Sequence, residues 1–135
     1  MTSRSKAEIK NALIRETKIE FNKGMMTAWI YLDYGEGSIQ QGFGGYELDH
    51  HDAQRKLLDE KFTRKPSKLM GLFVSRVIRV VDAVSWEKLV GKTLRVEADH
   101  LKVYRIGHYL KDDWFDPDED FPSIVEEELK LLEGE

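Results

Sequence analysis

The chain has 135 residues, 41% hydrophobic and 34% charged, with a formal net charge of −4 at pH 7. That length fits one domain able to bury a core unaided, and the composition is too apolar for a disordered chain and too polar for a membrane protein. With no cysteine, disulfides, thiolate metal sites and cysteine nucleophiles are all excluded.

Residues 1–10 are polar and read as a flexible N-terminus, with no apolar run of the kind a signal peptide carries. No stretch nears the ~20 apolar residues of a membrane span, so the expectation is a soluble cytoplasmic protein without a membrane partner. Residues 11–121 read as one domain, and 122–135 as an acidic C-terminal helix or tail.

Leu13, Thr17, Ile19 and Phe21 set against Glu16, Lys18 and Glu20 predict a half-buried strand, closed by the turn Asn22-Lys23-Gly24. Thr27–Tyr34 is apolar on both faces, as a central strand is. After Gly35-Glu36-Gly37-Ser38, a third strand over 39–48 completes a meander. Residues 53–62 fit a short helix or a charged loop equally. From Pro66 the spacing of Leu69, Leu72, Phe73, Val77, Val80 and Val84 predicts the main helix. Ser85 is placed to cap a short helix over 86–89. Thr93–Ala98 and Leu101–Tyr109 form a hairpin around Asp99-His100, and a last helix is expected over 123–132. The fold class is therefore α+β: an antiparallel sheet of about five strands in the order β-β-β-α-β-β, with one main helix across one face.

The most distinctive segment is Gln41-Gly42-Phe43-Gly44-Gly45-Tyr46. Strand glycines mark a bulge, a bend or a close approach by backbone or ligand. One reading makes Phe43, Gly44, Gly45 and Tyr46 contacts for a planar polar ligand such as a nucleobase. The other has the glycines making room for Trp29 or the helix. Arg76 and Arg79, at i and i+3, form a candidate anion site with Arg55, Arg64 and Lys68, or else pair with Asp82 and the acidic tail. His108, with His100, Asp112 and Asp113 near in sequence, is a candidate acid–base or metal group, while a structural role explains it as well. Trp114 is a further candidate contact, in a loop anchored by Phe115 and Phe121.

Three motif resemblances fail. Gly91-Lys92-Thr93 lacks the earlier phosphate-loop glycine, since Trp86 stands there. The glycine cluster opens no helix and lacks dinucleotide spacing. Asp116–Asp120 starts like a calcium loop, but Phe121 occupies the obligatory glycine position. No catalytic residue, metal or cofactor is assigned.

Gly42-Phe43-Gly44-Gly45-Tyr46 with Leu48-Asp49, Trp86-Glu87-Lys88-Leu89 with Gly91-Lys92, Arg95-Val96, Ile106-Gly107-His108, and Asp113-Trp114-Phe115 with Pro117 together carry a resemblance. Over roughly residues 12–121 the chain resembles a family of small, largely uncharacterised bacteriophage and prophage proteins. Ser38-Ile39-Gln40-Gln41 departs from the shorter glycine-rich approach expected there. The resemblance implies no particular activity, and small phage accessory proteins often act by binding. The leading expectation is thus a non-enzymatic accessory protein that binds a host protein or a small anionic ligand, in counter-defence for instance. The alternatives are a nucleotide- or nucleic-acid-processing enzyme using His100 and His108, and a nucleic-acid-binding protein using the basic stretch 54–79. Exposed sheet edges also suggest a homodimer.

Overall fold

The structure, a computed structural model, describes residues 6–22, 25–46 and 68–133. The helix-or-loop at 53–62 and most of the basic stretch, including Arg55 and Arg64, lie outside the described residues. Among these residues, six strands and two helices follow in chain order: β1 (Glu8–Asn22), β2 (Met25–Asp33), β3 (Gln41–Gly44), α1 (Lys68–Val81), β4 (Thr93–Ala98), β5 (Val103–Gly107), β6 (Trp114–Phe115) and α2 (Pro117–Glu133). All strand pairs are antiparallel, in the order β3-β2-β1-β4-β5-β6. The expected α+β class holds, with one more strand than expected.

Strand β1 is long because it serves two partners. Glu8–Leu13 pairs with β4, and Leu13–Asn22 pairs with β2. It begins at Glu8, inside the segment expected to be flexible, since Glu8–Lys10 pair with Val96–Ala98. A bulge between Ile14 and Glu16 shifts the register, so the inward-facing set changes parity at Arg15. Before it, Ile14 lies opposite Leu32; after it, Thr17 and Ile19 lie opposite Ile30 and Ala28. Leu13 therefore does not share a face with Thr17 and Ile19, contrary to the simple alternation.

Two aspartates shape the turns. Asp33 Oδ1 accepts the N–H groups of Gly35, Glu36 and Gly37 at 2.7, 2.8 and 3.2 Å, and its Oδ2 takes Arg15 Nε at 2.8 Å. Burial works to raise the Asp33 pKa, but the Gly35 N–H, the Arg15 guanidinium and the other two N–H groups outweigh it and hold the carboxyl at about 2. Asp99 repeats the device between β4 and β5. Its Oδ2 accepts the Tyr104 hydroxyl at 2.8 Å, and its Oδ1 the N–H groups of Leu101 and Lys102. The Tyr104 bond is the chief cause of its lowered pKa.

The sheet curls. Strands β3 and β5 are separated by three others in sheet order, yet they touch, and Gln41 Nε2 donates to the Asp99 carbonyl at 2.8 Å. The inner face holds Ile14, Ile30, Leu32, Leu94, Val96 and Ile106, all fully buried. Helix α1 lays Leu69, Phe73, Val77 and Val80 onto this face. Phe43, Phe73, Phe115, Phe121 and Tyr46 form a ring cluster, with Phe43 stacked on Phe73 at 5.7 Å and 16°.

Helix α1 stops at Val81, short of the Val84 expected in its stripe, and Val84 is 88% exposed. Ala83 N–H bonds the Ile78 carbonyl and Asp82 N–H the Arg79 carbonyl, a Schellman closure with Asp82 at φ 68° where glycine is usual. The expected helix over 86–89 is a 3-10 turn, Trp86–Lys88, without a side-chain cap from Ser85. Helix α2 starts six residues earlier than expected. Asp116 accepts the Glu119 N–H at 3.3 Å, and Pro117 takes the first helical position.

Two substitutions, one within α1 and one just past its end, probe its stability. Asp82→Gly relieves the left-handed strain, and Gly71→Ala fills open space within the helix. Each is expected to raise unfolding free energy by about 0.5–1 kcal/mol in denaturant titrations. The carboxylates give a pH signature. Their native pKa values lie below the unfolded value of ~3.9, so their contribution is complete above that value and is lost as pH falls through the native one. Stability is therefore expected to drop between pH 4 and 2, and less steeply in Asp33→Asn.

Candidate functional site

Phe43 decides how the glycine strand is presented. Its ring is 1% exposed and faces the core, so the backbone of Gly42, Gly44 and Gly45 is left on the other side. That side is covered by Trp29 from the neighbouring strand. A Cβ at Gly42 would lie 2.9 Å from the Trp29 six-membered ring, and one at Gly45 would overlap the same ring from its other end. The indole therefore spans both glycines, with the Tyr31 ring parallel beside it at 5.8 Å and 10°. Gly44 is constrained differently. At φ 137° an added Cβ would overlap the Ala28 carbonyl oxygen, so no side chain fits.

Gly45 N–H donates to the Ala28 carbonyl at 3.0 Å. In an antiparallel pair the amide groups of Gly42 and Gly44 then alternate to the opposite edge. That edge faces the β4–β5 turn across a cleft of about 430 Å³. Among the described residues, Gln41–Gly42, Gly44–Tyr46 and Trp29 form one wall, and Leu101, Lys102 and Val103 form the other. Gln41 spans both sides. Its Oε1 accepts the Tyr34 hydroxyl while its Nε2 reaches Asp99. Burial of that hydroxyl pushes the Tyr34 pKa up to about 12, so it stays a donor at any physiological pH. Lys102 Nζ lies 5.8 Å from the Tyr46 ring centre, 5.3 Å from that of Tyr104 and 3.5 Å from Asp118 Oδ2.

The residues singled out in the sequence divide into three groups. Gly44, Gly45 and Tyr46 line the cleft. Phe43 belongs to the core and does not reach a surface ligand. Arg76, Arg79, His108 and Trp114 lie elsewhere. Arg76 pairs with Asp120 at 3.4 Å and Arg79 with Asp113 at 2.9 Å, both in partly exposed ion pairs. Trp114 lies flat over Gly107, where a Cβ would come within 2.6 Å, with the guanidinium groups of Arg105 and Arg95 at 4.2 and 5.0 Å from its ring.

His108 organises the turn before β6. Its Nδ1 accepts the N–H groups of Leu110 and Lys111 at 2.9 Å each, and its Nε2 lies 3.7 Å from Asp82 Oδ2. His100 sits at the other end of β5, so the two histidines do not converge. Among the described residues no group of three His, Asp or Glu is placed to hold a metal ion. Among the described residues, no helix is long and apolar enough to cross a membrane.

Trp29 and Lys102 are among the cleft residues that sequence reasoning did not assign as contacts. Trp29 appeared there as packing over the glycines, which it is. Its second role follows from the period of two along β2, which puts it on the face opposite Ile30. Lys102 carried no comparable signal.

Gly44→Ala is expected to destabilise the fold by about 2 kcal/mol or more, through strain and contact with rigid backbone. Gly45→Ala displaces the Trp29 indole instead, read as a red shift and increased quenching of its fluorescence. A neutral result at Gly44 overturns the close approach to Ala28. Comparison of the chain with profiles of known protein families, with curated proteins and with solved structures finds no match in any of the three.

Proposed function

We propose that this is a phage or prophage accessory protein that binds a small anionic ligand in the cleft beside the glycine strand, without turning it over. The observation that carries the reading is the make-up of that cleft. Main-chain amides of an edge strand, two aromatic side chains and one ammonium line it, and its described lining holds no carboxylate, imidazole or aliphatic hydroxyl. Such a surface offers hydrogen bonds, stacking and one positive charge. The earlier anion candidates, Arg76 and Arg79, do not line the cleft, and Lys102 is the cation among its described lining residues. The phage setting rests on the motif set around Gly42–Tyr46, Trp86–Lys92 and Asp113–Phe115.

Native mass spectrometry of gently purified protein is expected to show one anionic small molecule per chain. It should be recovered chemically unchanged after hours with the protein, and Lys102→Glu should reduce its occupancy at least ten-fold. Recovery of an altered molecule, or occupancy indifferent to Lys102→Glu, overturns the reading.

A further inference from the structure

Resting on that reading, we infer the class of ligand: a single mononucleotide, its base stacked on the Trp29 indole and its phosphate at Lys102. Three features of the cleft lead there. First, the Trp29 ring is held before any ligand arrives, by Gly42 and Gly45 beneath it and Tyr31 beside it. A stacking partner therefore freezes no indole rotamer, and base–aromatic stacking tolerates any base because each has a π-face. Second, the amide edge of Gly42 and Gly44 lies next to that ring, within reach of the polar rim of a heterocycle. A purely aliphatic ligand would leave those amides without partners, at a desolvation cost.

Third, the charge at the cleft mouth selects the sign. Lys102 already lies over the rings of Tyr46 and Tyr104, the position a cationic ligand would need. Its ion pair with Asp118 is half-exposed at both ends, and exposed pairs of this kind are weak. A phosphate, with more than one negative charge near neutral pH, displaces the carboxylate readily.

Size and closure select one nucleotide over a strand. The volume of about 430 Å³ lies low in the ~300–1,000 Å³ range of small-molecule sites. The Gln41–Asp99 bridge spans the gap between the two walls, so a polymer cannot run through it. A net charge of −4 also disfavours a polyanion.

The test titrates the full chain with the four ribonucleoside monophosphates, their nucleosides, inorganic phosphate and a single-stranded tetranucleotide, following tryptophan fluorescence and calorimetry. At least one monophosphate is expected to bind one per chain, with quenching that disappears in Trp29→Leu. It should bind about ten-fold tighter than its nucleoside, an advantage that Lys102→Gln removes while leaving nucleoside binding intact. Trp29→Leu should weaken monophosphate and nucleoside alike by about ten-fold, and circular dichroism confirms that both variants fold. Phosphate binding as tightly as the monophosphates sinks the nucleotide assignment and leaves the anion-binding reading standing. A tetranucleotide that binds better, with steep salt dependence, overturns the single-nucleotide assignment. Failure of every anion at millimolar concentration overturns both readings.

Discussion

The burial of Phe43 is the constraint from which the rest of the molecule follows. It carries the largest apolar side chain of a four-residue edge strand, and it stacks on Phe73 of α1 with Phe115 and Tyr46 at its edges. Truncating a phenylalanine buried to this degree costs roughly 3–5 kcal/mol, as much as the few ladder bonds of so short a strand contribute together. The ring cluster thus fixes where β3 lies, and by doing so fixes which side of its backbone looks outward. Without that anchor the glycines would have no defined face and Trp29 no floor.

The same cluster explains the acidic C-terminal segment. Phe115 and Phe121 enter the core from either side of the α2 N-cap, which brings Asp113, Asp118 and Asp120 over α1 and the β4–β5 turn. Their carboxylates meet Arg79, Lys102 and Arg76 in turn. The charge asymmetry along the sequence is, in this part of the chain, the two halves of one set of ion pairs. Exposed pairs of this kind contribute little each to stability.

Much of the fold was legible in the residues. The meander, the α1 stripe and the β4–β5 hairpin follow from periodicity and turn chemistry. The errors have local causes. One extra residue at Arg15 flips the parity of β1, and a single bulge leaves no mark on an alternation that is sound on either side of it. Asp82 ends α1 in a conformation normally taken by glycine, so the stripe seemed to run on to Val84. Asp116-Pro117 with three acidic residues behind it was weighed as an ion-binding loop, although the same residues are a good helix start. Sequence spacing also suggested a shared role for His100 and His108, yet a strand between them holds them apart. The site was half legible: the glycines marked a close approach, but the cleft exists because the sheet curls, and no local pattern encodes which distant turn comes to face β3.

That curl is fastened in an unusual way. Where a closed barrel would join its first and last strands by a ladder of main-chain bonds, here a side-chain amide, Gln41, ties β3 to the end of β4. One such bond contributes about 1 kcal/mol net, less than a ladder of several would. The wall of this cylinder accordingly has a seam. That seam is the side of the sheet on which the cleft opens, and Gln41 belongs both to the bond that closes it and to the lining.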